Sequence, residues 1–160
     1  MNQSLDRINI LLVEDYAADA ELVQSFLAQS KQTQFNVSHV RTLKDADEAL
    51  EQGGFDIILL DLSLPDSFGF DTFEHLHALA PRTAIVVLTG YNDESLPAQA
   101  IQRGAQDYLP KYPLTGPILI RTIRHAIERQ KLVMQLQAAL TEVEQLRNAA
   151  MSDVPPSAPA

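Results

Sequence analysis

Four consecutive aliphatic residues, Ile57-Ile58-Leu59-Leu60, end abruptly in the carboxylate of Asp61. Such a run is too continuous for a strand with one wet face and too short for an ordinary helix. The stretch Phe55 to Asp61 therefore reads as a central parallel strand covered on both sides. Parallel strands need crossovers to join them, so this one feature commits the chain to a layered α/β plan. In open sheets of this kind ligands bind outside the carboxyl ends of the strands, where the strand order reverses. Asp61 sits at such an end, although an aspartate there also serves simply to open a turn.

The remainder repeats the pattern. Ile8 to Val13 is a second apolar run, ending in Glu14 and Asp15, and Ala84 to Leu88 is another, ending in Thr89 and Gly90. Val37 to Val40 and Ala105 to Leu109 are shorter β-rich pieces. Between them, helical spacing recurs in Asp19 to Ser30 (Ala20, Val23, Phe26, Leu27) and around Leu43, Ala46, Ala49 and Leu50, stopped by Gly53 and Gly54. It recurs again at Phe70, Phe73, Leu76 and Leu79, and in Asn92 to Arg103, closed by Gly104. Strand and helix alternate five times, which predicts a doubly wound, five-stranded parallel sheet with helices on both faces.

From Leu114 to about Asn148 one helical segment follows, with no Gly beyond Gly116 and no Pro beyond Pro117. Its length of roughly 50 Å at ~1.5 Å per residue exceeds what a small sheet needs, so it is expected to project. Ile120, Ile123 and Ile127 suit the sheet, whereas Val133, Leu136, Leu140 and Val143 step by three, four and three, the spacing of a coiled-coil seam. Two visible heptads also fit a lone solvated amphipathic helix. The expected organisation is a domain over 1–128, a helical extension over 129–148 and a disordered, Pro-rich tail over 149–160.

The formal charge of −9 is uneven. Residues 1–112 carry 7 Lys and Arg against 17 Asp and Glu, and residues 113–150 carry 5 against 3. An acidic body repels phosphate backbones, which argues against direct nucleic-acid binding. The chain has no Cys, so disulfides and thiolate metal sites are excluded, and its start resembles neither a signal peptide nor a membrane span. A cytoplasmic location is expected.

Glu14, Asp15 and Asp61 fall at the carboxyl ends of the first and third strands, neighbours in a doubly wound sheet. Clustered carboxylates repel one another, and a hard cation such as Mg²⁺ relieves the repulsion. Thr89 and Lys111 add a hydroxyl and an ammonium at the same edge, the latter a point charge suited to phosphate oxygens. Each residue alone has an ordinary surface explanation; the set in order at one sheet edge does not. His39, His75, His77 and His125 show no i, i+3 or i, i+4 pairing and read as surface or structural groups.

With these motifs in hand, the chain resembles the receiver domain of two-component response regulators over residues 8 to about 128. The resemblance rests on Glu14-Asp15, on the D-x-x-x-P-x-x-x-G loop from Asp61 to Gly69, on Thr89-Gly90 and on GAQDYLPK from Gly104 to Lys111. It implies a flavodoxin-like (βα)₅ fold in which Asp61 accepts a phosphoryl group from a sensor histidine kinase or phosphotransfer protein. It further implies Mg²⁺ on Asp15, Asp61 and the backbone carbonyl of Ser63, with Glu14 acting through water. Lys111 and Thr89 would contact the acyl phosphate, and Tyr108 would swing inward as the output rotamer. The expected product is a phosphorylation switch, not a turnover enzyme, with output through homodimerisation on the Val133, Leu136, Leu140, Val143 seam or through partner docking.

Members commonly carry Lys followed directly by Pro through a cis bond, whereas Tyr112 here precedes Pro113, which leaves the geometry of that loop open. No helix-turn-helix, cyclase or kinase segment follows in these residues; the chain also fits the receiver part of a larger signalling protein. A Mg²⁺-dependent aspartate-nucleophile phosphatase is the rival chemistry. It needs a second acid to protonate the leaving group, and resemblance to the aspartate-nucleophile phosphatases would place an Asp two residues after the nucleophile, where Ser63 stands. A flavodoxin-like cofactor binder wants a Gly-rich loop after the first strand, where Tyr16-Ala17-Ala18-Asp19 stands.

Overall fold

The computed structural model describes residues 5–90 and 107–153. Its elements in chain order are β1 (Asp6–Val13), α1 (Ala17–Ala28), β2 (Thr33–Val40), α2 (Leu43–Gln52) and β3 (Ile57–Asp61), then α3 (Phe70–Leu79), β4 (Ala84–Thr89), β5 (Asp107–Pro110) and α4 (Gly116–Ser152). The strands form one parallel sheet in the order β2-β1-β3-β4-β5. The sequence therefore doubles back at β1, and the crevice between β1 and β3 is the switch point.

The continuous apolar runs are explained by two cores, one on each face. Ile10, Leu12, Ile57, Leu59, Val86 and Leu88 pack with Val23 and Leu27 of α1 and Leu119 and Ile123 of α4. The alternate residues Leu11, Val13, Ile58, Leu60, Ile85 and Val87 pack with Ala46 of α2 and Phe73 and Leu76 of α3. Successive side chains of a strand point to opposite faces, so only an uninterrupted aliphatic run satisfies both. Burying each such side chain stabilises the fold by about 1.5–3 kcal/mol relative to exposure.

The structure corrects several boundaries. β2 starts at Thr33, not Val37, and pairs with β1 over its whole length. Its alternation of exposed and half-buried positions is that of an edge strand, whose polar residues hid half of it. α1 begins at Ala17 and ends at Ala28, two residues ahead of expectation at each end. α4 continues past Asn148 to Ser152, through Ala149, Ala150 and Met151, which are strong helix formers. The helix expected over Asn92 to Arg103, the start of the Ala105 strand and the Pro-rich end from Val154 lie outside the described residues.

Lys131 to Ala160 form a separate compact unit from Met1 to Gln130. Within its helical part Val133, Leu136, Leu140 and Val143 are 42%, 62%, 56% and 60% exposed, as are Leu132 and Leu146 at 55% and 65%. No described helix is long and apolar enough to cross a membrane.

Candidate functional site

β1 and β3 lie side by side, with Val13 opposite Leu60. Each strand therefore delivers its terminal acids to the same crevice. Glu14 is fully buried, Asp61 nearly so, and Asp15 half-buried. Ligand atoms of Glu14, Asp15 and Asp61 all lie within 4.8 Å of one another. β5 follows β4 at the other side of β3, and the turn after it brings in Lys111. That turn is held by the Lys111 N–H donating to the Thr89 carbonyl at 2.8 Å.

The Lys111 ammonium occupies the centre. Nζ donates to Asp61 Oδ2 at 2.8 Å and to Asp19 Oδ2 at 3.0 Å, and lies 2.7 Å from Glu14 Oε2. The Glu14 contact is a close ion pair, and Oε2 is buried against the Lys111 ammonium. Burial opposes the charged form of Lys111, but the hydrogen bonds and charges of Asp61 and Glu14 outweigh it and raise its pKa. For Glu14, burial is the larger influence. With help from the Asp61 charge it overcomes Lys111 and pushes the carboxyl up to about 7.

The loop after Asp61 is folded back on itself. The Ser63 N–H donates to Asp61 Oδ1 at 3.0 Å, so both carboxylate oxygens of Asp61 are oriented. Gly69 N–H closes the loop on the Leu62 carbonyl at 2.7 Å, and Gly69 takes a φ of 74° that an L side chain rarely adopts. Asp66 accepts the Leu43 and Lys44 N–H groups at 2.8 and 3.0 Å, tying the loop to the start of α2. Those two bonds hold the exposed Asp66 carboxyl below its usual range.

Thr89 is buried at the end of β4, its hydroxyl donating to the Leu109 carbonyl at 3.4 Å. Tyr108 is 41% exposed on β5. The peptide bond joining Tyr112 and Pro113 is cis. Sequence reasoning missed Asp19, which lies in the first turn of α1 yet is buried against Lys111 and Tyr112. Its helical spacing marked only the apolar residues around it. Of the histidines, Nε2 of His39 is 2.7 Å from the Glu14 carbonyl oxygen, His75 pairs with Asp47, and His77 stacks on Phe73.

The chemistry of this cluster suits a hard divalent cation. Carboxylate oxygens of three acids, all within 4.8 Å of one another, offer the oxygen donors that Mg²⁺ prefers.

Residues 10–124 match the family model of the response regulator receiver domain. The swarming motility regulation protein RssB of Serratia marcescens is 35% identical over 123 residues, which are 77% of this chain and 54% of RssB. Regulatory protein LuxO of Vibrio cholerae is 34% identical over 118 residues, 74% of this chain and 25% of LuxO. The chain thus spans about half the length of RssB and a quarter of LuxO. Among solved structures, a CheY-like receiver domain protein from Methanospirillum hungatei has a TM-score of 0.66 at 26% identity, covering 80% of this chain and 98% of that one. A receiver domain protein from Clostridium thermocellum shares the fold, with a TM-score of 0.69 at 23% identity over 79% of this chain and 98% of that one. A family match across most of β1 to α4, joined to an acid pair, an aspartate and a lysine at one sheet edge, leads to one conclusion: the chain belongs to the response regulator receiver domain family.

Proposed function

We propose that this chain is a phosphorylation switch in which Asp61 takes a phosphoryl group from a phosphohistidine of a sensor kinase or phosphotransfer protein. The observation that carries this reading is the orientation of the buried Asp61 carboxylate between the Ser63 N–H and the Lys111 ammonium. As the phosphorus–oxygen bond to Asp61 forms, the phosphorus–nitrogen bond of the phosphohistidine breaks and its electron pair returns to the imidazole. An ionised carboxylate needs no general base. Catalysis is therefore charge placement and alignment.

Asp15, Asp61 and the Ser63 carbonyl would hold Mg²⁺, with Glu14 engaged through water. When bound, the cation offsets charge on the transferring oxygens. Lys111 supplies a donor to the same oxygens, and Thr89 turns from the Leu109 carbonyl toward the new phosphoryl group. Tyr108 then leaves its exposed position and follows, which alters the surface beside β5. The chain acts as an acceptor rather than a turnover enzyme, working in the cytoplasm.

Residues 1–128 act as the receiver and 129–148 as a coiled-coil extension whose Val133, Leu136, Leu140 and Val143 seam pairs with a second copy. The exposed apolar stripe supports this reading. The test is labelling with a small phosphodonor and Mg²⁺. The native chain should acquire acid-stable, alkali-labile phosphate, and Asp61→Asn, near-isosteric but a poor nucleophile, should acquire none. Equal labelling of the Asn variant removes Asp61 from the role.

A further inference from the structure

The buried Asp19 carboxylate is not among the acids that converge for a cation, yet it takes a hydrogen bond from Lys111 Nζ at 3.0 Å. Its other oxygen accepts the hydroxyl of Tyr112. Lys111 and Tyr112 are adjacent, so α1 grips both consecutive side chains of the turn after β5 through one carboxylate. Asp19 is 7% and Lys111 8% exposed, which shields the contact from water and makes it strong for a charge pair.

We infer that Asp19, clamped by Tyr112, is the positioning residue that holds Lys111 for phosphoryl transfer; the inference rests on the reading of Asp61 as acceptor. Among the described residues Lys111 has three acid neighbours: Glu14, Asp61 and Asp19. Phosphorylation changes the first two. Asp61 becomes an acyl phosphate, and Glu14 is the acid that would face a bound cation. Asp19 touches neither reacting atom and is the anchor that persists through the step. It lets Lys111 transfer its donor from Asp61 Oδ2 to a phosphoryl oxygen by a small swing about a fixed pivot. Tyr112 matters because it occupies the second Asp19 oxygen. This fixes the carboxylate rotamer and orients the remaining oxygen at Nζ.

The experiment uses the full chain with phosphoramidate and Mg²⁺, measuring the labelling rate for native protein, Asp19→Ala, Asp19→Asn, Tyr112→Phe and the Asp19→Ala, Tyr112→Phe double variant. Removing a charge-assisted anchor should slow Asp19→Ala by about tenfold or more. Asp19→Asn, which keeps an acceptor oxygen, should fall between, and Tyr112→Phe should slow by about threefold. In the Asp19→Ala background Tyr112→Phe should have no further effect, because the clamp has nothing left to orient. Proton–nitrogen spectra supply a readout that mere loss of packing would not move. The Lys111 ammonium should give a slowly exchanging signal in the native chain that weakens in Asp19→Ala. Native labelling rates in Asp19→Ala and Tyr112→Phe, or additive losses in the double variant, would overturn the inference while leaving Asp61 as acceptor. Absence of label on the native chain overturns the acceptor reading and this inference together. If melting shows Asp19→Ala unfolded, Asp19→Asn and Tyr112→Phe decide by the same criteria.

Discussion

Glu14→Gln should erase a specific pH dependence of stability in the metal-free protein. Glu14 is fully buried, and its carboxyl is pushed up from 4.5 to about 7, chiefly by that burial. Folding therefore favours the protonated form. Below pH 4.5 the proton is bound in both states and the stabilisation from protonation is complete. Between 4.5 and 7 only the native state holds it, so unfolding releases a proton and stability falls as pH rises; above 7 the contribution is gone. Raising the pH from about 5.5 to 8 crosses some 1.5 pKa steps, or on the order of 2 kcal/mol at ~1.4 kcal/mol each. For a chain of this size that corresponds to roughly 4–8 °C in melting temperature. Lys111, whose pKa is raised above 10.5, adds stability that is lost only at still higher pH and is flat across this window. The assay is thermal melting in chelator at several pH values, comparing native protein with Glu14→Gln. The variant's absolute stability is not the readout, because its new amide faces the Lys111 ammonium. The difference in slope is. Mg²⁺ should flatten the native slope by favouring the ionised acid. Parallel slopes for the two proteins in chelator would refute the reasoning.

Two further outcomes follow from the same geometry. The native chain should associate in a concentration-dependent way in sedimentation, and Leu136→Lys with Leu140→Lys should abolish that association; a native chain that stays monomeric at all concentrations defeats the seam. Phe73→Ala, which empties a fully buried site between α3 and the sheet, should cost about 3–5 kcal/mol in denaturant titration.

The sheet plan and most of the site were legible in the sequence because their causes are local. A strand buried on both faces must be aliphatic at every position, so Ile57 to Leu60 announced itself, and the first polar residue after such a run had to lie at a strand end. Glu14, Asp61 and Thr89 stood out this way, Asp15 as the neighbour of Glu14, and Lys111 only by its place after the shorter β-rich piece that ends at Leu109. Edge strand β2 was half hidden, since exposure on one side lets polar residues such as Gln34 and Asn36 interrupt the pattern. Asp19 was invisible for a different reason. A carboxylate in the first turn of a helix is adequately explained by the helix dipole, and nothing nearby in the chain marks it as buried. Its partner Lys111 is 92 residues away, and only the order β2-β1-β3-β4-β5, with α1 packed beneath the turn after β5, brings the two together. The sequence by itself determined which residues reach the edge of the sheet. Which of them share one ammonium was decided by the tertiary structure, because charge contacts follow distance in space and carry no period along the chain.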